Sequence, residues 1–184
     1  MVDKWDYGSV NPDITYDPVV TLRPVDKGDC DWIFLHRNSE YVRENCRNPD
    51  PILKADHDRW FENLPKSATQ AWRIDDKDKK RVGVILLTQI KARPLSCEIS
   101  LWIASQHEGL GYATRAIASM AQYAEYRKYT ELTAEILGHN MKSLSAFLKN
   151  GFMVQGHTAM RFPGRDTPIA MFSMVKYLRG YGGT

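Results

Sequence analysis

Between residues 96 and 127 the sequence changes its period across a pair of glycines, and few folds accommodate that change. Over residues 96–104, Glu98, Ser100 and Trp102 alternate with Cys97, Ile99, Leu101 and Ile103, the two-faced pattern of a β-strand. From Ala113 onward, Ala113, Ile117, Met120, Ala121 and Ala124 fall along one stripe of a helix that extends to about residue 127. The strand therefore feeds a helix through Gly109-Leu110-Gly111. At such a junction the first N–H groups of the helix point outward without intrahelical partners.

The flanking segments supply the rest of a sheet. Val19, Val20, Leu22 and Val25 form a short strand that Pro24 confines to an edge or an end. Residues 29–46 are helical, with Trp32, Ile33, Leu35 and Val42, and stop at Asn48-Pro49-Asp50-Pro51. A short helix follows over residues 57–64. Residues 70–74 and 81–90 flank a charged turn and read as an antiparallel hairpin, with Val82, Val84 and Ile85 β-branched. Strand 131–137, helix 140–149 and strands 152–158 and 169–177 complete the chain. This order excludes a regular alternation of strand and helix. The expected fold is α/β in the α+β sense, a mixed, mostly antiparallel sheet of about seven strands with helices on both faces.

The chain has 184 residues, enough for one core, which we place at residues 19–178 between an N-terminal arm (1–18) and a short tail (179–184). A formal net charge of +3 is too small to imply nucleic acid. Neither a membrane span nor a leader peptide is legible, so a cytoplasmic location is expected. Cys30, Cys46 and Cys97 are widely spaced and read as reduced thiols. The histidines His36, His57, His107, His139 and His157 lack metal-ligand spacing, and no metal is expected.

The chemistry concentrates in Gln106-His107-Glu108-Gly109-Leu110-Gly111. Glycines there let the backbone turn sharply and approach a diphosphate, and the helix dipole favours negative charge. Two other readings stand beside this one. Gly109-x-Gly111 with Ala113 is also a fragment of a dinucleotide fingerprint, with Glu131 or Glu135 as its ribose-binding acid, although a third glycine is missing. It could also be a plain turn joining strand to helix.

Gln106-x-x-Gly109-x-Gly111-x-Ala113 resembles the acetyl-CoA diphosphate loop of the GNAT superfamily of acetyltransferases. The strand 98–103, the motif Asn140-x-x-Ser143 and Lys149-Asn150-Gly151-Phe152 extend the likeness in order, over about residues 20–177. The resemblance is to the branches that act on ribosomal-protein N-termini and on nucleotide-linked amino sugars. It implies a sheet splayed between its fourth and fifth strands, with pantetheine paired to the backbone of Leu101, Trp102 and Ile103. Acetyl-CoA, as co-substrate, would then lie against Gln106, His107, Glu108, Gly109, Leu110, Gly111, Tyr112 and Ala113, with Asn140 and Phe147 flanking its thiol end.

An amine acceptor arrives protonated at neutral pH, so a base must free its lone pair. The resemblance implies Glu98 for that role; alternatively Glu98 is a surface ion-pair partner. Phe147 occupies the place where many family members carry a tyrosine that protonates the departing thiol. The resemblance offers Ser143 instead, and Ser143 can also be read as part of a helix cap. A backbone N–H near Ile103 is the expected donor to the oxyanion.

For the acceptor, Arg37-Asn38-x-x-x-Val42-Arg43 and His57-x-x-Trp60-Phe61 are similar to segments of acetyltransferases of nucleotide-linked amino sugars. Arg37, Asn38 and Arg43 would hold a sugar diphosphate and Trp60 would stack on a ring. Packing and a solvated helix face are the alternatives for these residues. Polyamine and protein N-terminal acceptors, and a non-catalytic acyl-CoA-binding module, remain open as functions. A small-molecule amine or a protein N-terminus is the expected partner, in a chain that could form a homodimer.

Overall fold

The computed structural model describes residues 12–179, so residues 1–11 of the expected arm and 180–184 of the tail lie outside the described residues. Seven strands, β1 (Val20–Pro24), β2 (Thr69–Asp76), β3 (Arg81–Gln89), β4 (Ser96–Ile103), β5 (Glu131–Leu137), β6 (Met153–Met160) and β7 (Ile169–Tyr177), form one sheet. Their order is β1-β2-β3-β4-β5-β7-β6, and every neighbouring pair is antiparallel except β4 with β5. The helices are α1 (Cys30–Arg37), α2 (Glu40–Glu44), α3 (Lys54–Asn63), α4 (Tyr112–Tyr126) and α5 (Met141–Lys149). Among the described residues, no helix is long and apolar enough to cross a membrane.

The stripe read on α4 is its core face. Ile117, Met120 and Ala124 are fully buried and pack in one cluster with Leu22, Trp72, Ile74, Ile85, Leu87 and Ile99 of the sheet. Trp72 meets Tyr123 edge-on at 5.4 Å. Loss of such a ring from a packed interior costs about 3–5 kcal/mol. Phe147 and Phe152, 4.9 Å apart, seat α5 on the same core. On the opposite side α1 and α3 are joined by buried His57, whose Nε2 lies 3.0 Å from the Cys30 carbonyl. At the outer edge, Ile14 exchanges backbone hydrogen bonds with Leu22, and Trp72 Nε1 donates to the Pro12 carbonyl at 3.2 Å. The arm thus covers an otherwise open strand edge.

The helix read over residues 29–46 is in fact two. It breaks at Asn38-Ser39, because the Asn38 amide both donates to the Ile52 carbonyl and accepts from the Ile52 N–H, each at 2.8 Å. Short polar side chains that bond to backbone in this way compete with helix continuation. Ser39 then takes an extended backbone and α2 restarts. The helix read from residue 57 starts earlier, at Lys54, directly after the extended Leu53.

Candidate active site

β4 and β5 pair only over Ser96↔Glu131, Cys97↔Leu132 and Glu98↔Thr133, and then separate. Beyond that point β4 keeps its register with β3 to Gly83↔Ile103, while β5 follows β7 to Leu137↔Met171. The sheet is therefore two antiparallel blocks joined along three residues, and each block's twist carries its own strand away from the other. The bond from Ala104 N to Val82 O fixes the parity of β4. Antiparallel pairing alternates the direction of the backbone groups, so even-numbered residues bond to β3 and odd-numbered ones face β5. The N–H and C=O groups of Leu101 and Ile103 consequently point into the opening, where an extended chain with amide groups can pair with them.

At the end of β4 a 3-10 turn (Ser105–His107) leads to Gly109 and Gly111, at φ 75° and 80°. Side chains rarely adopt these angles, and a Cβ added at either glycine meets nothing within 4 Å. Gly111 is the N-cap of α4 and no side chain caps that helix. The first turn of a fifteen-residue helix thus presents bare N–H groups to open space beside the β4–β5 opening. A diphosphate fits this cradle, and a pantetheine fits the exposed edge of β4.

A cavity of about 1300 Å³ runs from this loop through the opening to α1–α3. Leu101, Trp102, Ile103, His107, Glu108, Gly109, Gly111, Tyr112, Ala113, Asn140, Ser143 and Phe147 all line it, as do Glu98, Arg37 and Trp60. Trp102 is held by stacking on Trp32 at 5.6 Å, and Trp32 stacks on His36 at 4.3 Å. This pins α1 over β4. Asn140 Oδ1 accepts from Ser143 N at 3.0 Å, so the asparagine caps α5 and orients its first turn. Phe147 is buried, with no group to move a proton.

Glu98 projects from β4 just where pairing with β5 ends, on the side of Ser100 and Trp102. Arg47 Nη2 lies 3.7 Å from Glu98 and also pairs with Glu135 of β5. Burial pushes the Glu98 carboxyl up, Arg47 pulls it down and Glu135 pushes it up again. The net rise makes Glu98 a better proton acceptor than an exposed carboxylate.

Four residues read as site residues do not line the cavity. Asn38 holds Ile52, and Arg43 donates to the Asn38 and Pro49 carbonyls, so both brace the 46–53 loop. Gln106 reaches toward His36 at 3.5 Å, tying the loop to α1, and Leu110 is exposed. Conversely, the sequence reading gave no site role to Tyr41, Arg47 or Lys142, and Glu135 only one as a ribose-binding acid. Glu108 pairs with Lys142 of α5 and with the Tyr41 hydroxyl, joining loop, α5 and α2; burial and this carboxylate push Tyr41 up to about 12. The alternation of Glu131, Thr133 and Glu135 was a legible signal for Glu135, whereas Arg47 lies in a loop without period. Among the described residues no group of His, Cys, Asp and Glu side chains is placed to hold a metal ion.

Comparison with known proteins agrees with this geometry. A family model described as an acetyltransferase (GNAT) domain matches residues 20–153. Spermidine N(1)-acetyltransferase of Vibrio cholerae serotype O1 (strain ATCC 39315 / El Tor Inaba N16961) is 22% identical over 145 residues, covering 78% of this chain and 84% of that protein. The crystal structure of the Vibrio cholerae spermidine N-acetyltransferase with CoA and spermine superposes with a TM-score of 0.80 at 20% identity, over 90% of this chain and 99% of that one. A protein solved as a candidate phosphinothricin N-acetyltransferase gives 0.76 at 21% identity, over 87% and 99%. The two-block sheet, the uncapped α4 and the match across most of the chain have one meaning: the chain belongs to the GNAT family of acetyl-CoA-dependent N-acetyltransferases.

Proposed function

We propose that this protein moves the acetyl group of acetyl-CoA to a primary amine by direct attack, with Glu98 as the base. The observation that carries this reading is the position of Glu98, a half-buried carboxylate at the point where β4 and β5 part, inside the cavity that begins at the diphosphate cradle. Bound acetyl-CoA would supply a thioester carbonyl as the electrophile. The chain's own residues do the remainder. Glu98 takes a proton from the incoming ammonium, directly or through a water. The inward-facing N–H of Ile103 is the donor available to a developing oxyanion. Ser143 carries the hydroxyl that would return a proton to the departing sulfur, because Phe147 has none.

The acceptor is a small amine in this reading. The polyamine substrates named for the Vibrio cholerae proteins support that class, while Arg37 and Trp60 at the cavity wall keep an amino sugar with a charged substituent in view. The non-catalytic alternative rests on the Glu98–Arg47 contact, which would suit an incidental ion pair. Thiol release from acetyl-CoA across an amine panel separates the two. The catalytic reading expects turnover that Glu98→Gln removes while CoA affinity by calorimetry is retained. CoA binding without thiol release on any amine would leave only the binding module.

A further inference from the structure

Arg37 is placed unlike the other charged groups of the cavity. It ends α1, lines the acceptor side, and its Nη1 is buried without a hydrogen-bond partner. The carboxylates that line the same cavity are all engaged: Asp56 by Arg59 at 3.0 Å, Glu98 and Glu135 by Arg47, and Glu108 by Lys142. Arg165, from the β6–β7 connection, braces the 44–46 segment, whose Cys46 lines the same cavity. Its Nη2 donates to the Glu44 carbonyl at 2.6 Å and the Cys46 carbonyl at 2.8 Å, and its Nε is also buried without a partner. Both guanidiniums act on the Cys46 thiol, drawing it down against the burial that raises it, so the two converge on one short segment.

A buried guanidinium N–H that lacks an acceptor is unfavourable, since it has left water and found no oxygen in exchange. Such a group on the cavity wall, at Arg37, makes that wall a receptor for something that brings oxygens with it. The planar fork of arginine matches the paired oxygens of a carboxylate or phosphate. A polycation has the opposite problem. It meets an unpaired arginine, and to reach Glu98 and Glu135 it must displace Arg47.

We infer that Arg37 forms an oxyanion subsite in the acceptor half of the cavity, with Arg165 bracing the Cys46 segment of its wall, and that the amine acetylated here also carries a carboxylate or phosphate. This deepens the acetyltransferase reading and rests on it.

The test uses matched acceptors at saturating acetyl-CoA, with thiol release as the readout. Lysine against cadaverine isolates a carboxylate, glucosamine 6-phosphate against glucosamine isolates a phosphate, and spermidine serves as the polycation. At least one anionic member is expected to exceed its partner in kcat/KM by about tenfold or more, the size typical of a desolvated charge pair. Arg37→Gln should remove that advantage through KM, and Arg37→Lys should restore part of it, with the melting temperature of each near that of the wild type. Preference for spermidine or cadaverine, with ratios that Arg37→Gln leaves alone, would overturn the inference while the acetyltransferase reading stood.

If no acceptor of the panel turns over, inorganic phosphate or acetate added to CoA-saturated protein decides. One of them should raise the melting temperature above a chloride control of equal ionic strength, in the wild type and not in Arg37→Gln. Equal melting in both salts would overturn the subsite. Failure to bind CoA at all would strike the acetyltransferase reading instead, and anion stabilisation would then be judged on the unliganded protein.

Discussion

At the β1–β2 end of the sheet Asp29 is completely buried, with Arg73 and Arg81 each 3.0 Å from its carboxylate, and Asp75 beside it is met by Arg23 and Arg73. At the β4–β5 opening the same residue types are arranged differently. Glu98 and Glu135 share Arg47, all three side chains are a third to a half exposed, and Arg37 lines the same cavity with its Nη1 unpartnered among the described residues. In the first cluster each carboxylate faces two guanidiniums and, although Asp75 Oδ1 accepts no hydrogen bond, none of these residues lines the cavity. That is a strut, fastening the start of α1 to β2 and β3. In the second cluster the cations and anions are mismatched and a cavity runs between them, which is the condition for binding and proton transfer. The contrast teaches that composition does not separate scaffold from site in this protein; the ratio of guanidiniums to carboxylates and access to the cavity do.

The sharpest way to break the comparison is to mutate one carboxylate from each cluster. Glu98→Gln is expected to lower kcat by about a hundredfold to ten-thousandfold, the usual worth of a positioned base, with the melting temperature nearly unchanged. Stopped assays of thiol release together with calorimetric melting would check both halves. Asp29→Ala should do the reverse. Loss of a buried partner leaves charges uncompensated and costs about 3–5 kcal/mol of stability, read by urea unfolding, while kcat of the folded fraction holds.

A third change sits at the cradle. Gly111→Glu forces a side chain into a left-handed backbone and places a carboxylate in the open space before α4. CoA affinity by titration calorimetry is expected to fall by roughly a hundredfold or more, since strain and like charge add there. The smallest effect sharpens the electrostatics of the second cluster. Glu98 must be ionised to accept a proton, so kcat/KM falls as pH drops through its raised pKa. Arg47 pulls that pKa down and Glu135 pushes it up. Arg47→Ala should therefore move the acid limb to higher pH, and Glu135→Gln to lower pH, in a pH profile of kcat/KM.

The same contrast explains what could be read from residues alone. The alternation of residues 96–104, the helical stripe of α4 and the glycines between them are local patterns, and they located the uncapped start of α4, the cradle proposed for the diphosphate, and the strand that borders the opening. The strand position of Glu98 was legible from the alternation, whereas its role as a base rests on the resemblance to the GNAT superfamily. The partners of Glu98 were not legible, since Arg47 comes from an aperiodic loop and Glu135 from a strand whose parallel register no local pattern records. Asn38 and Arg43, expected on the acceptor side, do not line the cavity, for a similar reason. Beside a double-proline loop, their polar groups are taken by the backbone of that loop, a long-range outcome that helical spacing does not encode.

In the proposed function an unpaired backbone edge and an uncapped helix serve together as the acetyl-CoA site. Amide hydrogen exchange resolved by residue, with and without saturating acetyl-CoA, tests that most directly. The N–H groups of Leu101 and Ile103, together with those of residues 109–112, should slow on binding, while even-numbered β4 amides already bonded to β3 change little. Protection confined to other surfaces, with these amides exchanging as before, would contradict it.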